Sequence, residues 1–408
     1  MKSIHLIKDM FREYYSQNAL TEFSVMIDRR EFGFFSFEGQ MLRHKTFKNT
    51  DELAYFLKDF VPKDAYFSCA YYENPEAEME RKGWLGADLI FDVDADHIPT
   101  GCDKIHDEWT CGGCGFSGRG IVPDRCPICE GEKFTVTTWP CENCLASAKE
   151  ETIKLLDMLM EDFGLSKDEI KVFFSGHRGY HVHVECEAVK TLDGIARKEI
   201  VDYITGLGLE TSAFIEEKML RRMQRESRDT RNFYGWKRRI SIGLSEFFKK
   251  TTEEELIEIG LKRNVAKNIL MGKNALLKNE AGKEMLRSIK GLGFKTWTKI
   301  FEHVAKAESS KIDTVVTTDI HRLIRLPETL HGKTGFKKVE FAASKVESFD
   351  PFKKATAFKK GKIKVFVYDA PEFRINEETF GPYKARKVEL PTAAALLLLC
   401  KNKAEVSD

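Results

Sequence analysis

The sequence predicts an α/β (α+β) protein, one body interrupted by a metal-binding module and a helical insertion. Three observations carry that expectation. Ala87 to Asp96, ADLIFDVDAD, alternates apolar and acidic residues with the two-residue period of a strand. Met1 to Gln17 and Leu145 to Phe163 repeat their apolar residues with helical spacing. Six of the ten cysteines fall into three C-x-x-C pairs within residues 111–144. The chain has 408 residues, 42% hydrophobic and 32% charged, enough for two or three domains or one with a large insertion. Net charge is +1, so affinity for a polyanion must come from local patches. The N-terminus lacks the apolar run of a signal peptide, and the longest apolar stretch, Ala393 to Cys400, is too short to span a bilayer. A cytoplasmic protein is expected.

Residues 1–101 are expected to hold an N-terminal helix, strands and the acidic strand. On that strand Asp92 and Asp94 share one face while the other is apolar. Two carboxylates held close on a stiff, partly buried strand repel unless they share a proton or bind a divalent cation. The further acid Asp96 favours the cation, because a proton-sharing pair gains nothing from added negative charge. The plainer alternative is an edge strand with solvated acids.

Residues 102–144 read as a zinc module. In a chain without a secretion signal, paired cysteines favour zinc over disulfides. Cys111 and Cys114 are separated by eleven residues from Cys126 and Cys129, and small residues after each pair allow two knuckles to close around a tetrahedral ion. Cys141 and Cys144 then need two partners, and Cys102 and His106 are nearest in sequence. Another pairing, with Cys102 and His106 closed by the pair at Cys111, and a single bound zinc both remain open. With four protein ligands no position is left for water, so the metal is structural. Cys69, Cys186 and Cys400 lie in apolar surroundings and read as core.

Residues 145–204 begin with the Leu145–Phe163 helix, ended by Gly164. Lys171 to Cys186 then reads as strand, glycine-bearing turn and strand, with His181, His183 and Glu185 on one face. Gly176 and Gly179 let backbone approach a ligand, Arg178 offers a planar fork for phosphate, and Ser175 adds a donor. Residues 205–305 look helical, with Thr251 and Thr252 as capping candidates. Arg221 to Arg239 holds eight Lys/Arg against two acids, with Phe233, Tyr234 and Trp236 interleaved, which suits single-stranded nucleic acid as well as a solvated helix face. Residues 306–408 complete the body with strands such as Lys362–Tyr368 and a short helix. There, Asp313 precedes a β-branched run, Asp319 is placed to cap a short helix through His321 to Ile324, and Arg325, His331 and Lys333 make a cationic strip.

Taken together, FDVDAD, SGHRGYH and RLPETLHGKTG resemble, in this order, the small catalytic subunit of archaeal and eukaryotic-type DNA primases, the archaeal members most. Arg29 to Phe34 and Lys82 to Trp84 fit the same pattern, and the motifs span about three quarters of the chain. The resemblance implies a mixed-sheet primase core. It implies that Asp92, Asp94 and Asp313 hold two Mg²⁺ or Mn²⁺ ions. Ser175, Arg178, His181, Arg325 and His331 would grip the nucleotide's phosphates, with Arg30 assisting. The family's zinc motif falls where Cys102, His106, Cys141 and Cys144 stand. His177 replaces a second arginine of eukaryotic members, so that nucleotide contact is weaker or pH-dependent. The ribbon at Cys111, Cys114, Cys126 and Cys129 looks like an insertion.

The implied activity is nucleotidyl transfer making short primers from NTPs or dNTPs on single-stranded DNA, with a primase large subunit as partner, no membrane, and a nucleoid association. Two ions anchored by carboxylates suit that chemistry, and no Ser/His/Asp constellation stands out. Asp96 matches no metal-binding position of the family. Two other classes are weighed: a repair-type or stand-alone polymerase of the same superfamily, and a non-catalytic zinc-ribbon protein that binds nucleic acid.

Overall fold

The structure is a computed structural model that describes residues 2–18, 20, 26–210, 234–278 and 293–407. The chain divides into two units. Unit 1 comprises Met1–Ile153, Lys167–Lys198 and Ile312–Asp408; unit 2 comprises Lys154–Ser166 and Glu199–Lys311.

Unit 1 is built on two four-stranded sheets. In the first, Leu323–Arg325, Asp64–Ser68, Phe32–Phe35 and Met41–Lys45 lie side by side in that order. In the second the order is Val339–Phe341, Ile170–Phe174, Gly179–Val184 and Leu89–Asp94, so the acidic strand lies at an edge. The class is α+β, and every strand pair among the described residues is antiparallel, not mixed in direction. The tight turn between Phe174 and Gly179 forces one such pair; the acidic strand then joins Gly179–Val184 with Asp92 opposite His181 and Asp94 opposite Gly179.

Tyr180, Val182 and Val184 fall on one face of their strand by two-residue alternation, and His181 and His183 on the other. His183 meets Phe67 of the first sheet, with ring centroids 6.2 Å apart. Lys338, fully buried, bridges the same gap: its Nζ donates to the Arg325 carbonyl at 2.8 Å and lies 4.5 Å from the Phe173 ring centroid. The histidine face of the second sheet is therefore turned to the first.

The N-terminal helix, Lys2–Gln17, buries Ile7, Met10, Phe11, Tyr14 and Tyr15. Tyr14 donates to the Glu328 carbonyl and Tyr15 accepts from Leu330 N–H, which anchors the loop that follows Arg325. The predicted helix at His321–Ile324 is absent; Leu323–Arg325 is a strand paired with Tyr66–Ser68. A helix forms earlier in the chain, at Thr314–Thr318, despite its β-branched residues, because Asp313 caps it and Val316 and Thr317 are buried. Helix Glu142–Glu161 and the positive φ of Gly164 match the expected helix and its stop. Thr392–Cys400, the most apolar stretch, is a buried helix of nine residues, and no helix among the described residues is long and apolar enough to cross a membrane.

Unit 2 is helical where described, including Gly235–Lys250, Glu253–Glu258 and Phe294–Glu308. Ile240, Phe248, Trp297, Ile300 and Phe301 form its core, and the Thr252 hydroxyl caps the second of these helices. Of the basic, aromatic run at 221–239, residues up to 233 lie outside the described residues. Trp236 is buried, and the buried Arg239 pairs with Asp162 at 2.5 Å and Asp157 at 2.8 Å, so these two serve the unit's interior rather than a nucleic-acid surface.

Candidate active site and zinc tetrads

Strand Leu89–Asp94 buries Phe91 and Val93 and leaves Asp92 and Asp94 half-buried. Asp313 joins them through the main chain, its N–H donating to the Asp92 carbonyl at 2.8 Å. Its carboxylate accepts from Val315 N–H at 3.0 Å, which fixes the side chain at the start of its helix. Burial, then the charges of Asp94 and Asp313, push the Asp92 carboxyl up to about 8. Asp94 is also raised, by burial and then by Asp96. The three acids are held more loosely than the cysteine groups below and are not among the sets whose donor atoms all lie within 4.8 Å.

Opposite them stands the glycine hairpin. A Cβ on Gly179 would lie 2.5 Å from the Val93 carbonyl oxygen, so only glycine lets the two strands approach this closely. The Ser175 hydroxyl accepts from the N–H groups of His177 and Gly179, both at 3.3 Å, and closes the turn rather than pointing away from it. Gly176 has φ +88° and gives its carbonyl to the Thr334 hydroxyl at 2.6 Å, so the turn is clamped to the loop 331–335. His181 Nε2 lies 3.6 Å from an Asp92 oxygen. Arg178 is fully buried, pairing with Asp107 at 2.7 Å and with Asp96, while its Nε sits 3.9 Å from Asp94. Arg178 Nε and His181 Nδ1 are buried without a hydrogen-bond partner, two polar atoms that suit an incoming anion or its metal.

His177 and His331 stack at 5.2 Å between ring centroids. Lys401 donates to His177 Nε2 at 2.9 Å and to the Thr138 carbonyl. All three are buried. Burial and neighbouring cations hold His177, His181 and His331 well below the usual imidazole range and bring Lys401 down to about 7. Such a cluster of suppressed cations is short of negative charge. Arg325 is fixed by Asp64 at 2.7 Å, and the same carboxylate accepts from Gly332 N–H at 2.8 Å beside His331.

The structure thus brings Asp92, Asp94 and Asp313 into one group, and links Ser175, His177, Arg178, His181 and His331 around the hairpin. Arg30 belongs to a different network. It is fully buried, and its fork is occupied by Asp88 at 2.5 Å, Tyr71 at 2.6 Å and the Ser68 carbonyl at 2.7 Å. Sequence reasoning missed Asp64, Asp107, Lys338 and Lys401. Asp64 carried a faint signal, an acid opening the apolar strand DAYFS; nothing local to the two lysines marks their burial.

The cysteines gather into two tetrads, Cys102, His106, Cys141, Cys144 and Cys111, Cys114, Cys126, Cys129, each with its donor atoms within 4.8 Å of one another. The alternative closing of Cys102 and His106 by the Cys111 pair is set aside by this grouping. In the first, Cys102 Sγ lies 3.4 Å from His106 Nε2 and 3.6 Å from both Cys141 and Cys144. In the second, Gly113 N–H approaches Cys111 Sγ at 3.4 Å, as a knuckle requires. Thiolates and an imidazole in fours are the donor set of structural zinc, and both tetrads are compatible with it. Asp107 accepts from His106 Nδ1 at 2.8 Å, the outer partner that orients a ligating imidazole.

An α+β body that sets three carboxylates against buried imidazoles, a forked arginine and lysines has the make-up of a polyphosphate-handling protein. A family model described as DNA primase small subunit matches residues 139–343. The chain is 35% identical to the DNA primase small subunit PriS of Archaeoglobus fulgidus over 405 residues, covering 98% of this chain and 97% of that protein. It is 32% identical to PriS of Methanothrix thermoacetophila and 30% to that of Nitrosopumilus maritimus, each over 99% of both chains. The chain belongs to the DNA primase small subunit family, the catalytic subunits of primases, as its three motifs implied.

Proposed function

We propose that this catalytic subunit makes primers by metal-assisted nucleotidyl transfer on a single-stranded DNA template, with a large subunit as its partner in replication. The 3′-oxygen of one nucleotide attacks the α-phosphorus of the next; the α–β phosphoanhydride bond breaks, pyrophosphate leaves, and the hydroxyl proton passes to solvent. The observation that carries the reading is the main-chain bond that fixes Asp313 beside Asp92, where three acids crowd and Asp92 is pushed up to about 8. Asp92, Asp94 and Asp313 are the anchors for Mg²⁺ or Mn²⁺. Two such ions, held by these aspartates, would activate the attacking hydroxyl and neutralise the leaving oxygens. Each needs only part of its shell from protein, so the looser spacing of the acids fits, with water and phosphate supplying the rest.

Arg178 and His181 offer their unpartnered nitrogens to the triphosphate. His177, His331 and Lys401, suppressed as cations, regain their charge against it. Ser175 shapes the turn that presents them, and Arg325 supports the pocket through Asp64. Arg30, its fork taken by Asp88, Tyr71 and the Ser68 carbonyl, acts as a structural strut. Primer synthesis on single-stranded DNA with labelled nucleotides and Mg²⁺ or Mn²⁺ tests the reading. Asp92→Ala with Asp94→Ala is expected to cut synthesis by at least about a hundredfold, the scale of several kcal/mol of transition-state stabilisation. Full synthesis by that variant would overturn the mechanism, and absence of synthesis by the parent chain would favour a non-catalytic nucleic-acid-binding role for the zinc ribbon.

A further inference from the structure

The buried arginine of the hairpin and the first cysteine tetrad share one side chain. Asp107 follows the tetrad's histidine directly, and is itself buried. Its Oδ1 accepts from His106 Nδ1 at 2.8 Å and from Trp139 N–H at 2.9 Å. Its Oδ2 accepts from Arg178 Nη1 at 2.7 Å. Three donors thus converge on a buried carboxylate, and none of them is replaced by water without cost. On the far side of Arg178, Nη2 reaches Asp96, and Nε is left buried and unpartnered, 3.9 Å from an Asp94 oxygen. The guanidinium is planar, so fixing Nη1 and Nη2 fixes the direction in which Nε points.

We propose that Asp107 is a positioning residue that ties the pose of Arg178 to the His106 corner of the first tetrad. The tetrad then does more than hold a loop. It sets the angle at which Arg178 meets the nucleotide's phosphates, through a carboxylate that touches neither substrate nor metal. The second tetrad has no such link among the described residues. This rests on the reading that Arg178 holds phosphate.

Three variants of the full-length, zinc-loaded chain test it, with triphosphate affinity measured by calorimetry and zinc per chain by elemental analysis. Asp107→Asn keeps the size but offers one acceptor oxygen in place of two. His106 and Trp139 retain it, and the amide NH₂ faces the Arg178 donor. Affinity for nucleoside triphosphate is expected to fall about tenfold, the scale for loss of an orienting carboxylate, with zinc retained. His106→Cys keeps a zinc ligand but removes the Nδ1 link, and the same fall with zinc retained is expected. Arg178→Ala separates the two claims. If it leaves triphosphate affinity unchanged, the phosphate reading itself fails. If it weakens affinity while Asp107→Asn and His106→Cys bind as tightly as the parent, the link is overturned.

Discussion

Asp92 shows how a single buried carboxyl couples charge and stability. Its ordinary value is 3.8 and burial beside two other acids pushes it up to about 8. The native state therefore holds a proton there that the unfolded chain has already released. Stability from this group is present below the ordinary value and is lost as pH rises through about 8. A cation that neutralises the acids reverses the loss. Thermal unfolding in excess Mn²⁺ is expected to show a larger rise in Tm at pH 8 than at pH 5; equal rises would disconnect Asp92 from the cation. Arg30 makes the contrasting case. Asp88→Asn leaves its guanidinium buried without a counter-charge, and urea unfolding should lose about 3–5 kcal/mol. Triphosphate affinity of the folded fraction should not change, since Arg30 faces Asp88, Tyr71 and main-chain carbonyls.

Elements built around one glycine and one cap give sharper tests. Gly179→Ala drives a Cβ against the Val93 carbonyl at 2.5 Å and must part the acidic strand from its neighbour. A destabilisation of about 1–3 kcal/mol, the cost of overpacking, is expected together with loss of primer synthesis. Asp313 serves as both helix cap and candidate metal anchor, and two substitutions separate these roles. Asp313→Asn keeps the cap, so the melting temperature holds while synthesis collapses. Asp313→Ala loses both, adding about 1 kcal/mol of destabilisation. The acidic strand and the glycine hairpin were legible because a period of two, punctuated by glycine, is a local signal. Leu323–Arg325 was not legible. Three residues carry no period, and what makes them a strand is the edge of Tyr66–Ser68, far away in sequence. Nor does the β-branched run Thr314–Thr318 announce its helix, which a cap and the burial of Val316 secure.

At the scale of the molecule, what escaped the sequence is long-range pairing. Arg325 finds Asp64 across 261 positions and Lys401 finds His177 across 224. No local pattern announces that a lysine will be buried against a histidine. The cysteines were legible because metal geometry imposes short, repeated spacings, though their partition into tetrads is set by the fold. Two zinc ions per chain are expected on elemental analysis, and near one would reject one tetrad as a zinc site.

The acidic strand also has a temporal side. A ribosome makes residues in order, so Asp92 and its neighbours emerge well before the hairpin that pairs with them, and Asp313 and Lys338 come later still. Through that interval the strand has no partner for its main-chain N–H and C=O groups, and Leu89, Phe91 and Val93 have no neighbouring strand to pack beside. Nascent chains arrested before Gly179 should therefore be cut readily by protease at this segment, and chains arrested well beyond Val184 should resist. Equal cleavage of both would mean that the segment finds shelter from something other than its native neighbour.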